Sequence, residues 1–346
     1  MKMRNKQLAI ALALTISSMA ANAQEQNDRK KNFFNHMDFG VTAGSTGLGF
    51  DLAMPVGNYV RLRTGMSVVP RLEVPMTFGV QVGDDPATSQ SKFERLSGYL
   101  SGLTGNKVKQ DVDMIGKPKM WNWNFMVDIY PLKNNRHWHV TAGFFLGPSK
   151  VAEATNDIQS MSTLMAVDIY NNLYDKVHDA QGNKLSYKEL AKVKIIDVPG
   201  VSNDLAMLKE LQSGLHYNGR MGVQLGTYSH DIVDDEGNIL HKKGENYMME
   251  PDENSMVSAD MKVNAFKPYL GVGYDGRLVK KNDHLHIGFD AGVMMWGGTP
   301  HLTAHDGTDM IHDVENIPGK VGDYVSAIEK FKVFPVANLR ISYRLF

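Results

Sequence analysis

The chain contains no cysteine among its 346 residues, so neither disulfides nor thiolate chemistry can contribute to it. Small secreted domains usually depend on disulfides, but a chain of this length can bury enough surface to fold without them. The sequence also lacks any run of basic residues, and its net charge is −1. This charge balance argues against nucleic acid as a partner.

Long apolar runs are equally scarce, and the clearest one lies within the first 23 residues, MKMRNKQLAIALALTISSMAANA. Basic residues precede the apolar stretch 8–16, and Ala21-Asn22-Ala23 follows it as a small-x-small motif. This arrangement is typical of a signal peptide and is shorter than the about 20 apolar residues of a spanning helix. We therefore predict cleavage before Gln24, no lipid anchor because no cysteine follows, and a short periplasmic segment at 24–35.

After residue 23, no apolar run approaches the length of a membrane-spanning helix. In lipid, only helices and closed barrels satisfy every backbone hydrogen-bonding group. Any insertion of the mature chain into a membrane must therefore use β-strands that close into a barrel.

Apolar and polar residues alternate from residue 60 to residue 82, with apolar residues at most even positions. Side chains of a strand alternate between its two faces, so this pattern predicts a strand with one apolar face. Strands of soluble proteins are usually 5–6 residues long, whereas a tilted transmembrane strand needs about 9–11 residues in lipid. We predict one transmembrane strand over 60–82 that extends beyond the bilayer.

The same alternation recurs in seven further segments, which brings the predicted number of strands to eight. These segments are residues 39–43, 48–54, 121–129, 138–146, 266–274, 285–293 and 339–345. Their polar members are often charged residues or glycine, which does not suit a sheet face packed on a soluble core. It suits a barrel with a lipid-facing exterior and a narrow polar interior.

The lengths of the connections agree with this interpretation, because every long connection falls on the same side of the barrel, as in outer-membrane barrels. One side would carry 44–46, 84–118, 150–260 and 300–330, and the other would carry only 55–58, 131–136 and 276–283. We predict an all-β fold: an eight-stranded antiparallel transmembrane β-barrel over 36–346, with long external loops carrying short helices. Both termini would be periplasmic, and the largest external insertion would be at about 150–260.

Four stretches resemble the small outer-membrane barrel families of the OmpA, OmpX and OmpW type. They are GLGF at 47–50, FMVDIYPL at 125–132, YLGVGYDG at 269–276 and ISYRLF at 341–346. The resemblance implies an outer-membrane location. It also implies that Tyr343 and Phe346 form the terminal signal read by the barrel assembly machinery, although Arg344-Leu345 shifts the phase of the usual pattern.

The phase of the strands places one set of charged residues in the predicted lumen. It consists of Asp51, Arg61, Arg63, Arg71, Glu73, Asp128, Lys267, Asp290 and Arg340. Eight strands leave an interior just wide enough for side chains, so we predict that these charges pair and plug the lumen. The alternative is a continuous channel for small solutes. Aromatic residues near strand ends are predicted at the lipid interface: Trp121, Trp123, Trp138, Tyr274 and Tyr343.

Two groups of residues could hold a metal but are predicted to be structural. His137 with His139, and His284 with His286, form i,i+2 pairs that could ligate zinc or copper, but a third strand separates them. Acidic residues at 231–236 and Glu245 lack the spacing of an EF-hand, so DDEGN at 234–238 is predicted to be a hairpin turn. DAQGN at 179–183 has the same form. We predict no cofactor and no metal site.

The external segments contain helix signals and several histidines. Ser186 to Glu189 forms a capping box, and Asp204 precedes leucines at helical spacing. The external histidines are His216, His230, His301 and His305, but no G-x-S-x-G motif accompanies them, so a hydrolase is the least favoured function.

The function predicted from the sequence is non-enzymatic. We predict a monomeric outer-membrane barrel, surrounded by lipid and lipopolysaccharide, whose loops contact an extracellular ligand such as a surface glycan or protein. The alternative is passive, porin-like transport of a small solute.

Overall fold

The structure is a computed structural model that describes residues 36–132, 135–179, 181–195, 204–279, 282–330 and 332–345. The predicted signal peptide, the segment 24–35 and Phe346 lie outside the described residues.

The described residues form eighteen strands. In chain order they are β1 (Asp38–Gly44), β2 (Gly47–Pro55), β3 (Val60–Val68), β4 (Val74–Val82), β5 (Asp111–Pro118), β6 (Trp121–Ile129), β7 (Trp138–Leu146), β8 (Lys150–Asn156), β9 (Met221–Tyr228), β10 (Ile232–Val233), β11 (Ile239–His241), β12 (Asn246–Met249), β13 (Ser258–Lys262), β14 (Phe266–Val279), β15 (Asn282–Met295), β16 (His301–Ala304), β17 (Val314–Glu315) and β18 (Val333–Arg344).

The same residues form five α-helices: α1 (Pro86–Thr104), α2 (Met161–Val177), α3 (Tyr187–Leu190), α4 (Leu205–Asn218) and α5 (Gly319–Lys330). Within the described ranges, no helix combines the length and the apolar character that crossing a membrane requires.

Eight strands close into a barrel in the order β1-β18-β15-β14-β7-β6-β3-β2. All neighbouring pairs are antiparallel, and β1 closes the ring by pairing with both β2 and β18. The predicted eight-stranded antiparallel barrel is therefore confirmed, and each of the eight predicted segments contributes one strand to it, the segment 60–82 only through Val60–Val68.

The exterior of the barrel is an exposed apolar surface. It includes Val41, Phe50, Val68, Val140, Leu270, Val272, Phe289, Leu339 and Ile341. A closed ring leaves no unpaired strand edge, and an apolar outer belt suits lipid and not water. The protein is thus an outer-membrane β-barrel, as the sequence predicts. The start of β1, the end of β18 and the connections β2–β3, β6–β7 and β14–β15 share one end of the barrel. Such barrels place this end in the periplasm, and it is called the periplasmic end below.

The prediction of one strand over 60–82 is wrong. Strand β3 ends at Val68, and β4 begins at Val74 in a different sheet, where it pairs with β5 and β9. Pro70 has no N–H to donate to a ladder and marks the break. The apolar side chains of β3 face lipid, whereas Phe78, Val80 and Val82 of β4 pack in a separate hydrophobic core. The alternation therefore continues in the sequence although the strand does not.

The long connections 69–120, 147–265 and 296–332 assemble into one folded unit beyond the barrel, here called the head. Its sheet has the order β12-β9-β4-β5-β8-β13-β16, and β17 also pairs with β9. Helices α1 and α2 pack on this sheet, and α4 packs on α2. The head has its own buried core, which includes Val82, Val112, Leu164, Val223, Leu225 and Tyr247.

The helix caps and the turn that the sequence predicts at 186–189, 204 and 234–238 are present in the head. Ser186 and Glu189 make a reciprocal capping box. The Asp204 side chain accepts from Ala206 N at the start of α4. In the turn between β10 and β11, Asp234 N donates to the Asn238 carbonyl at 3.0 Å. The Asp234 carboxylate also accepts from the backbone of Glu236 and Asn238, so it caps the turn.

Candidate functional site

The barrel lumen brings together charged residues whose side chains point inward because they alternate with lipid-facing ones. Arg61 and Asp128 are directly opposite each other on β3 and β6. Arg61 Nε donates to Asp128 Oδ2 at 2.9 Å, and Arg61 Nη2 lies 2.6 Å from Asp275 Oδ2 on β14. Tyr130 Oη also donates to Asp275, at 2.8 Å. At this end of the lumen, Arg61 is therefore ion-paired with two carboxylates, Asp128 and Asp275.

Arg63 makes the longest connection across the lumen. Its Nη1 and Nη2 donate to Asp290 Oδ2 and Oδ1 at 2.6 and 3.0 Å, and Nη2 also donates to Asp128 Oδ1 at 3.1 Å. Strands β3 and β15 are separated by three strands in either direction around the ring. The paired bonds between Arg63 and Asp290 therefore span the full diameter of the barrel.

A second pair links β18 to β2 across the inner face of β1. Arg340 lies 2.7 Å from Asp51 through Nη2, and its Nε donates to the same oxygen at 2.9 Å. Gly40 on β1 makes this contact possible, because a Cβ there would lie 2.7 Å from both Arg340 Nε and Asp51 Oδ1. The inward glycine of β1 thus leaves the room that the ion pair occupies.

His139 lies at the centre of the ionic layer and is only 2% exposed. Its Nε2 is 3.1 Å from Asp290 Oδ1, and its Nδ1 is 3.4 Å from Asp275 Oδ2. Three arginines and four aspartates meet in this layer, and the His139 ring lies among three of the four carboxylates. The Thr141 hydroxyl also donates a hydrogen bond to Asp128 Oδ1 at 2.8 Å.

An apolar layer lies between the ionic layer and the head. It is formed by inward side chains of the barrel together with Trp296: Met126, Phe145, Tyr269, Met294 and Val336. At its outer edge, the fully buried Lys267 Nζ lies 3.4 Å from Asn122 Oδ1 and from the carbonyls of Pro148 and Ala265. The lumen is thus filled by an ionic layer and an apolar layer in series.

Two cavities lie on opposite sides of the ionic layer. The larger, of about 530 Å³, opens at the periplasmic mouth and is lined by Arg61, Tyr130, Asp275, His286 and Arg344 among others. The smaller, of about 30 Å³, is lined by Asp51, Arg63, Phe145, Tyr269 and Asp290 among others, and holds about one water molecule. The ion pairs of Arg61 and Arg63 separate these two spaces.

The structure places most of the predicted lumen residues inside the barrel, but not all of them. Asp51, Arg61, Arg63, Asp128, Lys267, Asp290 and Arg340 are buried there. Arg71 and Glu73 were expected in the lumen, but they are exposed in the head, where Glu73 lies 3.3 Å from Lys117 Nζ. They follow the break at Pro70, so the phase of β3 no longer applies to them.

Asp275 was missed as a member of this network. It lies in phase with Lys267 and two inward glycines of β14, so its period-two position was the available signal. His139 was expected only as polar filling, and the structure places it against three carboxylates.

The aromatic residues predicted at the lipid interface lie on the outer surface near strand ends. Trp121 and Trp123 are exposed at the head end of β6. Trp138 and Tyr274 pack edge to face at the periplasmic end, with ring centroids 5.2 Å apart. Tyr343 stacks with His284 near the same end.

The predicted histidine pairs do not converge. His139 is buried in the lumen, whereas His137 is exposed and contacts the Asp275 carbonyl through Nδ1 at 2.6 Å. His284 stacks on Tyr343, and His286 lines the periplasmic cavity. Among the external histidines, His216 stacks on His178, while His230 and His301 lie beside aspartates.

Comparison with known proteins adds little beyond the geometry. No family model and no curated protein matches the chain. Among solved structures it is similar to CarO2 of Acinetobacter baumannii (14% identity, TM-score 0.35, 90% of this chain and 100% of that one). It is also similar to CarO of the same organism (13%, 0.32, 90% and 99%) and to a major outer membrane protein of Thermus thermophilus (13%, 0.27, 90% and 98%). Likeness at this level carries no argument about function.

Proposed function

We propose that this protein is a non-enzymatic outer-membrane platform: a barrel closed to ions that holds the head at the cell surface, where it contacts a glycan or protein outside the cell. The observation that carries the proposal is the paired hydrogen bonding of Arg63 to Asp290 across the whole lumen. A solute path along the axis would have to break this contact.

The energetics of buried ion pairs favour a closed resting state. Removing one partner of a buried pair typically costs about 3–5 kcal/mol, because the other charge is left without compensation. Opening the ionic layer would separate several such pairs at once, since Arg61, Arg63 and Arg340 all have carboxylate partners. The apolar layer formed around Phe145 and Met294 is a second barrier in series.

The size of the head supports a role outside the membrane. Surface loops that only connect strands do not need a core, whereas the head buries one of its own beneath an extended sheet. We expect the barrel to be a monomer in contact with lipid and lipopolysaccharide, inserted by the barrel assembly machinery, and we expect no binding to nucleic acid.

One observation favours the second candidate, passive transport of a small solute. The cavity of about 530 Å³ reaches from the periplasmic mouth to Arg61 and Asp275. In this alternative, the ionic layer moves aside and the same charges select the ion that passes.

Planar-bilayer recording of the purified full chain distinguishes the two functions. The platform predicts no steady conductance, and the substitutions Arg63→Gln and Asp290→Asn should lower thermal stability. The pore predicts conductance whose ion selectivity changes with the same substitutions. Arg71→Gln is the matched control, because this arginine is exposed outside the lumen and should alter neither property. Steady conductance of the wild type would overturn the platform.

A further inference from the structure

The head carries a cluster of two imidazoles and one carboxylate that the lumen-based function does not use. His301 begins β16, the terminal strand of the head sheet, and Asp309 and His312 lie in the loop that follows. His301 Nδ1 and His312 Nδ1 lie 2.5 and 2.8 Å from the same oxygen, Asp309 Oδ2. Three donor atoms from two segments of the chain, β16 and the turn 309–313, therefore converge on one point at the surface.

Hydrogen bonds of the Asp309 Oδ1 atom and of its backbone N–H fix the position of this residue in the loop. Its Oδ1 accepts from the backbone N–H of Leu302 and Ile311 at 3.2 and 3.1 Å, and its own N–H donates to Asp313 Oδ2 at 2.9 Å. These bonds leave Oδ2 for the two imidazoles.

The donor set identifies the class of cation. One ligand atom from each of the three residues lies within 4.8 Å of the others, and tetrahedral bonds of about 2.0–2.1 Å require separations of about 3.3 Å. Imidazole nitrogen with one carboxylate suits zinc and its transition-metal neighbours. Calcium and magnesium prefer six or more oxygen ligands, which one carboxylate does not supply.

We propose that His301, Asp309 and His312 form a surface site for a divalent transition metal of the Zn²⁺ class. Binding requires the two Nδ1 atoms to turn lone pairs to the metal, so each neutral ring carries its proton on Nε2 instead. The two histidine side chains are 60% and 44% exposed, so water can accept the relocated protons and fill the remaining coordination position. The bound ion ties the start of β16 to the loop 305–313.

A hydrogen-bonded surface loop without metal affinity is the competing explanation, and titration of the metal distinguishes them. The mature full chain, free of any polyhistidine tag and stripped with a chelator, is titrated with Zn²⁺ in detergent. We expect one tight equivalent per chain, and we expect His312→Ala and Asp309→Asn each to weaken its binding at least tenfold. Asparagine can still accept from the Leu302 and Ile311 amides, and His312 is exposed, so neither variant should unfold the head.

The matched control is His241→Ala. His241 is a partly exposed imidazole 3.6 Å from the Glu245 carboxylate, but no second histidine joins this pair in the described head. Zinc affinity should be unchanged in this variant. Zinc binding that His312→Ala leaves unchanged, absence of a tight equivalent in the wild type, or tighter binding of Ca²⁺ than of Zn²⁺ would each overturn the site. Co²⁺ provides an independent readout, because its visible spectrum should change in the wild type and not in His312→Ala.

Discussion

Arg63 and Asp290 face each other from opposite sides of the barrel and share two hydrogen bonds of 2.6 and 3.0 Å through its centre. Both side chains are almost completely buried, and Arg63 also bonds to Asp128. A barrel of eight strands is narrow enough for one arginine and one aspartate to meet across it. The contact therefore joins two opposite walls of the barrel, and it is called the strut below.

The strut predicts strong coupling between its two ends. Arg63→Gln and Asp290→Asn should each lower the free energy of unfolding by about 3–5 kcal/mol, because each removes one partner of a buried ion pair. The double variant should lose clearly less than the sum of the two single losses. Heat-dependent gel migration of the folded barrel measures the midpoints.

Glu73→Gln is the control for charge removal. Glu73 pairs with Lys117 at the surface, where an ion pair contributes at most about 1 kcal/mol. Strict additivity of the Arg63 and Asp290 losses would contradict the strut.

Inward glycines of the barrel are predicted to be required by the ionic layer. A Cβ at Gly273 would lie 2.3 Å from His139 Nε2 and 2.8 Å from Asp290 Oδ1. Gly273→Ala should displace both groups and lower the midpoint of barrel unfolding, with a cost of about 1–3 kcal/mol as is typical of overpacking. Gly214→Ala in α4, where a Cβ meets nothing within 4 Å, should be neutral or stabilising. Equal midpoints for the two variants would show that the layer tolerates the methyl group.

The head should unfold independently of the barrel when its own core is damaged. Buried Asn171 on α2 donates to the Met221 carbonyl at 2.7 Å and accepts from Met221 N at 2.9 Å at the start of β9. Asn171→Ala removes the hydrogen-bond partner of these two backbone groups, and each unsatisfied group should lower the free energy of unfolding by about 1–3 kcal/mol. We expect faster proteolysis of the head while heat-modifiable migration of the barrel persists.

The neighbouring residue offers a matched control for this substitution. Asn172 is exposed, and its side chain donates to Asp168 in the preceding turn of the same helix, so Asn172→Ala should leave the proteolysis rate within about twofold of the wild type. Simultaneous loss of head and barrel in Asn171→Ala would show that the two fold as one unit.

The stability of the head should fall in mild acid because of His178. Burial is the main cause that lowers the pKa of this histidine below 6.5, and it outweighs the hydrogen bond of Nδ1 with the Tyr174 carbonyl. The unfolded chain therefore takes up a proton at a higher pH than the folded head does. Stability is fully present above about pH 6.5 and is lost as the pH falls from there through the lower folded pKa.

Protease resistance of the head, followed from pH 8 to pH 5, measures this effect. His178→Gln cannot gain the proton, so its resistance should depend less steeply on pH in this window. A slope identical to that of the wild type would assign the acid sensitivity to other groups.

The barrel could be derived from the amino-acid sequence alone. Side-chain alternation is a local property of a strand, so the lipid-facing and lumen-facing residues of β1, β6, β7 and β15 could be assigned without knowing their partners. The number of strands followed from counting the alternating segments, and the lengths of the connections agreed with that count and predicted the orientation. The same local rule placed Arg61, Asp128 and Arg340 inside.

Which of these charges meet depends on the three-dimensional arrangement of the strands. The pairing of Arg63 with Asp290 requires a particular strand order and barrel closure, and the period of a single strand carries neither. The break at Pro70 was invisible for a related reason, since β3 and β4 alternate in the same way in two different sheets. The head sheet likewise depends on pairing between strands that are far apart in the sequence. Such pairing is specified by the whole fold and not by any one segment, so neither the sheet nor the proximity of His301 to His312 could be predicted from a local pattern.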